Sequence, residues 1–198
     1  MLYNFLKLIL PILLFPLTKI EIKGLNNIPT KGPVVLISNH TSNWDPVILA
    51  AYLPRKLSFM AKEELFKIFF IGLIVRNLEA IPVKRGAADR NAIRQSIKVL
   101  EEGKVLAMFP EGTRSKTGEV KDFQPGAAMI AYRGKATIVP VGLINARNIG
   151  KGLFTKVTIN IGKPLEINEL CKEKITGEKL EEISKLLQEK VIELVENK

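Results

Sequence analysis

The sequence predicts an α/β fold, a single-domain sandwich with a central mixed, largely parallel sheet flanked by helices. Short runs rich in Val and Ile recur along the chain, helical patterns separate them, and a long amphipathic stretch closes it. Strands alternating with helices stack into layers around a sheet. At 198 residues, 46% apolar and 25% charged, the chain is long enough for one domain with a substantial core, and it is neither disordered nor fibrous.

The N-terminal segment MLYNFLKLILPILLFPLT is apolar but interrupted by Lys7, Pro11 and Pro16. It falls short of the roughly 20 residues that a spanning helix needs. It lacks the basic start and small-residue cleavage site of a signal peptide. The segment is read as a membrane-interfacial helix whose Leu, Ile and Phe bury among acyl chains while Lys7 and the basic body face anionic headgroups. An ordinary core helix broken by proline is the alternative. Residues 1–18 therefore form an interfacial segment and 19–198 the remaining domain, with no internal repeat or linker dividing it.

Strand-like runs follow at 20–23, 34–38, 57–61, 80–84, 105–109, 138–144 and 157–162. A second apolar block at 68–75, flanked by Lys67 and Arg76, is far too short to span and reads as a core helix or a lipid-facing one. The clearest helix covers 89–101, where Ile93, Ile97 and Leu100 keep a helical spacing and Gly103 supplies the stop. Leu180, Ile183, Leu187, Ile192 and Val195 among Lys and Glu predict an amphipathic helix over 178–196.

Thirty Lys and Arg against twenty Asp and Glu give a net charge of +10, which favours phosphate-rich partners without choosing among them. The basic residues are scattered and aromatics are few, so nucleic acid is not the expected partner. The single cysteine, Cys171, forbids an internal disulfide and a multi-cysteine metal site.

His40, the only histidine, follows the buried-type strand VVLISN, at a strand exit where α/β proteins place ligands. Asp45 comes five residues later, within reach of the imidazole, where a carboxylate fixes the tautomer and stabilises an imidazolium. Asp45 before Pro46 also fits a purely structural role, with Asp as the helix N-cap and Pro at the first helical position. The run Phe109-Pro110-Glu111-Gly112-Thr113-Arg114-Ser115 weighs against that reading, because it follows the strand VLAM and its turn would present Glu, Thr and Arg together at the sheet's end. Arg114 offers the planar fork suited to phosphate, beside backbone N–H groups near Gly112.

The runs NHTSNWD, IPVKRG, FPEGTRS and IVPVG resemble, in order and spacing, the four motifs of the glycerolipid acyltransferase family with its H-x4-D signature. The similarity spans about residues 20 to 165, and four ordered motifs are far more specific than any one. The resemblance implies the glycerol-3-phosphate acyltransferase-like fold and lysophosphatidate acyltransferase activity: an acyl group passes from acyl-CoA or acyl carrier protein to 1-acylglycerol 3-phosphate, giving phosphatidic acid. His40 is then the general base and Asp45 its orienting partner. Glu111, Gly112, Thr113 and Arg114 match the acceptor-binding motif, Arg85 is a second phosphate ligand, and Lys62 sits where relatives often carry a lysine. Pro140 and its neighbours match a motif of structural or acyl-packing role. No acyl-enzyme, metal or cofactor is implied. The expected partners are a membrane lipid (lysophosphatidic acid) and the thioester donor, at the cytoplasmic face of the cytoplasmic membrane.

In one respect the chain departs from the pattern. Many relatives carry a lysine just before the glycine in a segment like FQPGA, and here Gln124 and Pro125 stand in those places. Lys84 and Lys121 read as ordinary surface cations. A histidine base predicts activity that falls below about pH 6. The competing readings are the same chemistry on glycerol 3-phosphate or on a lysophospholipid with a headgroup, and a non-catalytic lipid-binding module. The absence of an extra N-terminal domain favours lysophosphatidate.

Overall fold

The computed structural model describes residues 2–77, 79–84, 89–170 and 175–197. Arg85 and Cys171 lie outside them. Among the described residues the strands are β1 (Thr18–Lys23), β2 (Val34–Ser38), β3 (Leu57–Lys62), β4 (Ile81–Val83), β5 (Val105–Met108), β6 (Thr137–Ile144), β7 (Thr155–Ile161) and β8 (Leu165–Glu166). They form one sheet in the order β1-β7-β6-β2-β5-β3-β4, with β8 pairing β6. β4, β3, β5, β2 and β6 are parallel, while β7 runs antiparallel to β6 and parallel to β1. The predicted mixed, largely parallel sheet is thus present. β8, which pairs Leu165 with Ile138, escaped the sequence reading because two residues show no periodicity.

The helices are α1 (Leu2–Leu14), α2 (Trp44–Tyr52), α3 (Phe69–Asn77), α4 (Arg90–Glu101), α5 (Gly126–Arg133), α6 (Ile167–Leu170) and α7 (Gly177–Glu196). β2 is buried on both faces, which is why it reads as an unbroken apolar run. Val34 and Leu36 pack with Ile48, Leu49 and Leu14, from α2 and α1, on one face. Val35 and Ile37 pack with Leu100, Ile130 and Leu187, from α4, α5 and α7, on the other.

Local chemistry explains the ends of the elements. Asp89 is the N-cap of α4, accepting from the amides of Asn91 and Ala92 at 3.0 Å each, and Gly103 turns the chain at φ +68°. Thr176 caps α7, accepting from the Lys179 amide. Pro140 sits in the central strand β6 without breaking it, because there the outer ladder passes from β8, at residues 137–138, to β7, at 141–144. Gly142, in the fourth motif, lets α7 press against β6: a Cβ there would lie 2.7 Å from the backbone of Leu194.

α1 has two apolar faces. Tyr3, Leu10 and Leu14 lie inward, and the Tyr3 hydroxyl accepts from the Leu57 amide at 3.0 Å. Phe5, Leu8, Ile12 and Phe15 lie outward in solvent, Leu8 being 68% exposed. Lys7 departs from the expectation that it faces headgroups. Its ammonium donates to the Pro54 carbonyl at 2.7 Å, on the inner side, where burial lowers its pKa. The helical period decides this, since residues 3, 7, 10 and 14 share one face. No described helix is long and apolar enough to cross a membrane. In the second apolar block, Ile68, Phe69 and Leu73 are exposed.

Candidate active site

Because β2 and β5 are parallel neighbours, their exits lie side by side. Val34 to Ile37 pair with Val105 to Met108, and extending that register sets His40 opposite Glu111. The structure keeps this alignment beyond the strands: the His40 amide donates to Glu111 Oε1 at 2.8 Å across the same separation of 71 residues. The Ser115 amide donates to the His40 carbonyl at 2.7 Å, so both backbone polar groups of His40 are held by the loop after β5. On the other side of β2, the Asn39 side chain clamps β6, donating to the Leu143 carbonyl at 2.9 Å and accepting from the Leu143 amide at 2.8 Å.

Asp45 is fully buried in the first turn of α2, which starts at Trp44 with Asn43 as N-cap. It is therefore not the N-cap of that helix. Its side chain turns back, and a single oxygen, Oδ2, faces His40 Nδ1 at 2.8 Å and accepts from the amides of Thr41 at 2.6 Å and Ser42 at 2.8 Å. A carboxylate offers only acceptors, so it assigns the imidazole proton to Nδ1. Nε2 remains as the nitrogen able to take a proton. The Phe109 ring stacks on the imidazole with centroids 4.2 Å apart and planes at 19°, fixing its orientation. The His40 side chain is 16% exposed, so one edge meets solvent while Asp45 beneath it meets none.

Glu111 is buried as well, at 4% exposure, and its Oε2 has no hydrogen-bond partner among the described residues. Desolvation pushes its pKa up to about 7, against the opposing pull of the His40 amide and the nearby Lys121 charge. Thr113 and Arg114 point the other way, into solvent. The turn thus divides the motif instead of presenting Glu, Thr and Arg together. Gly112 makes the division possible at φ +67°, a conformation that side chains resist. Lys62 ends β3, exposed, on the sheet edge that also bears Glu111. Arg85 belongs to the undescribed segment after β4.

Lys121, read from sequence as an ordinary surface cation, donates to Thr113 Oγ1 at 2.6 Å. It supplies a positive charge in the loop where the lysine expected next to Gly126 is replaced by Gln124 and Pro125. No spacing rule marks it; only the folded loop brings it back over the motif. Phe109 was legible in principle, since it leaves β5 level with the exit of β2. Among the described residues no group of three or more His, Cys, Asp or Glu side chains could hold a metal ion.

A buried carboxylate on one imidazole nitrogen, with the other nitrogen left for a substrate, is suited to removing a proton from a hydroxyl. Residues 19–144 match the family model described as Acyltransferase. The chain belongs to the acyltransferase family. A 1-acyl-sn-glycerol-3-phosphate acyltransferase of Bacillus subtilis is 35% identical over 150 residues, covering 74% of this chain and 73% of that protein. One from Borreliella burgdorferi is 29% identical over 180 residues, covering 86% and 72%. The crystal structure of the 1-acyl-sn-glycerophosphate acyltransferase of Thermotoga maritima superposes with a TM-score of 0.81 at 26% identity, covering 98% of this acyltransferase and 78% of that chain.

Proposed function

We propose that this acyltransferase is a 1-acyl-sn-glycerol-3-phosphate O-acyltransferase that makes phosphatidic acid for phospholipid synthesis, with residues 19–198 as the catalytic domain. The names of the two bacterial relatives and of the superposing structure support the reaction. The observation that carries the mechanism is the His40 Nδ1 to Asp45 Oδ2 contact at 2.8 Å, which leaves Nε2 for the acceptor. Nε2 takes the proton of the sn-2 hydroxyl as its oxygen attacks the thioester carbonyl carbon. The tetrahedral species collapses by breaking the carbon–sulfur bond, and the imidazolium returns the proton to the leaving thiolate. Direct transfer needs no protein nucleophile and no cofactor beyond the acyl-CoA or acyl carrier protein donor.

The acceptor phosphate falls to Arg114 and Arg85, with Thr113 and Lys62 as further candidates, while the Gly112 amide is already spent on the Phe109 carbonyl at 3.0 Å. Glu111 acts from beneath, holding the His40 backbone. Residues 1–18 lie in the interface of the cytoplasmic membrane, on its cytoplasmic face. Phe5, Leu8 and Ile12 form an outward apolar stripe, and Phe15 meets Phe154 edge to face at 6.0 Å. β1 and β7 both start at the sheet end from which His40 emerges, so this aromatic pair sets the membrane beside the catalytic end.

The test is acyl transfer in detergent micelles from labelled acyl-CoA and acyl carrier protein to lysophosphatidate, glycerol 3-phosphate and lysophosphatidylcholine. Labelled phosphatidate that vanishes in His40→Ala is the expected result. Product from another acceptor moves the substrate, and unchanged turnover in His40→Ala ends the mechanism.

A further inference from the structure

Helices α4 and α5 lie on the sheet face opposite α1, and between them runs a groove of about 730 Å³. Its floor is apolar, made by the half-buried Ile93, Ile97 and Met129. Its walls are cationic. Arg90, Arg94 and Lys98 recur every fourth residue along α4, and Arg133 faces them from α5. Elsewhere Lys23, Lys56, Lys104, Lys156, Lys179 and Lys190 each meet a carboxylate of the chain, and most other described cations do not; what sets the groove cations apart is that four of them line one apolar floor. Among the described residues none of the four groove cations has such a partner within 4.0 Å, although Glu101 lines the same groove. Arg94 donates to the Asn91 side chain at 3.0 Å, which leaves its charge uncompensated.

We propose that this groove docks an acidic helical carrier protein, the partner that presents the acyl thioester to His40. The proposal rests on the transferase reading above. An amphipathic helix with an apolar ridge between acidic flanks complements an apolar floor between cationic walls in both shape and charge. Position favours the same occupant. α4 follows β4, and α5 follows the loop after β5, so both helices start at the sheet end that carries His40 and run away from it. A carrier seated along them holds its flexible prosthetic arm toward the catalytic end. A lipid surface is the wrong occupant, because a bilayer does not fill a concave groove, and the outer face of α1 takes the membrane on the other side of the sheet.

The test uses the full chain in detergent with two variants, Arg94→Gln/Lys98→Gln and Arg94→Glu/Lys98→Glu/Arg133→Glu, their folding checked by circular dichroism. Steady-state transfer to lysophosphatidate is measured with palmitoyl-carrier protein and with palmitoyl-CoA. The expected result is a KM for the carrier substrate raised about tenfold or more in the charge-reversed variant, and less in the neutral one, with kcat kept. Both constants for palmitoyl-CoA stay at wild-type values. Equal losses with both donors assign the groove to the nucleotide part of CoA or to general damage, and unchanged carrier constants remove it from docking; either overturns the proposal. Loss of co-sedimentation with phosphatidylcholine–phosphatidylglycerol vesicles in the variants gives the groove to the membrane instead and also overturns it. Should the wild type use neither donor, the transferase reading fails on its own. Fluorescence titration with labelled carrier protein, which needs no turnover, then decides the groove: salt-sensitive binding lost in the variants sustains it, and no binding ends it.

Discussion

The turn after β2 and the loop after β5 each bury a carboxylate beside His40, and the two are held in opposite ways. Asp45 presents one oxygen, Oδ2, to two backbone amides and to the imidazole, while its Oδ1 has no hydrogen-bond partner among the described residues. Glu111 receives the His40 amide, with a smaller pull from the Lys121 backbone; its Oε2 likewise has no partner among the described residues, and burial carries its pKa up to about 7. Equal burial therefore does not mean equal support from donors. Donors pull a buried carboxylate's pKa down and desolvation pushes it up, and in Glu111 desolvation prevails. The Asp45 turn is built to aim one oxygen at the histidine ring, and the Glu111 loop to hold the histidine backbone in place.

Breaking the first half of that contrast should have the largest effect. Asp45→Asn keeps the size but trades the acceptor-only group for an amide that no longer dictates the tautomer. We expect acyl transfer to fall by about 10²- to 10⁴-fold with KM for the acceptor little changed, measured as steady-state kinetics. A loss confined to KM would show that Asp45 serves binding instead of orienting the base.

Asn39→Ala comes next. It removes both hydrogen bonds to Leu143 and leaves a buried amide and carbonyl of β6 without partners. Chemical denaturation should show a loss of about 2–4 kcal/mol, from about 1–3 kcal/mol for each buried group left unsatisfied with some relaxation. Glu111→Ala breaks one such bond, to His40, and should cost about 1–3 kcal/mol. Its kcat should fall more than its stability requires, because the freed backbone belongs to the base. Equal kcat in wild type and Glu111→Ala would reduce Glu111 to packing.

How much of this was legible beforehand depends on whether a residue's role is set by its neighbours in sequence. β2, β5 and α4 could be placed because apolar runs, periodicity, Asp89 and Gly103 are local signals. His40 and Asp45 could be paired because a short turn limits where five residues can go. The inward turn of Glu111, the docking of Lys7 on Pro54 and the return of Lys121 over Thr113 depend on contacts between distant segments, which no spacing records. Asp45 shows the intermediate case. The sequence supported both an N-cap and an orienting carboxylate, and the decision turned on a helix that starts at Trp44, two residues earlier than the N-cap reading requires.

The effect most specific to Glu111 concerns stability against pH. A carboxylic acid whose pKa rises on folding, here from 4.5 to about 7, binds its proton more tightly in the native state than in the unfolded one. Its contribution is fully present below pH 4.5 and is lost as pH climbs through about 7. The surface carboxylates Glu21, Glu79, Asp89 and Glu102 have lowered pKa values and work in the opposite direction, so the whole-protein curve hides the Glu111 contribution. Subtracting Glu111→Gln from wild type isolates it, because glutamine keeps an oxygen for the His40 amide and cannot ionise. Relative to wild type, the glutamine variant should gain stability between pH 4.5 and 7 and level off on either side, read as the difference in denaturation midpoint across that range. A difference that stays flat with pH would mean that Glu111 is ionised like a surface carboxylate and that burial in its loop leaves its proton affinity unchanged.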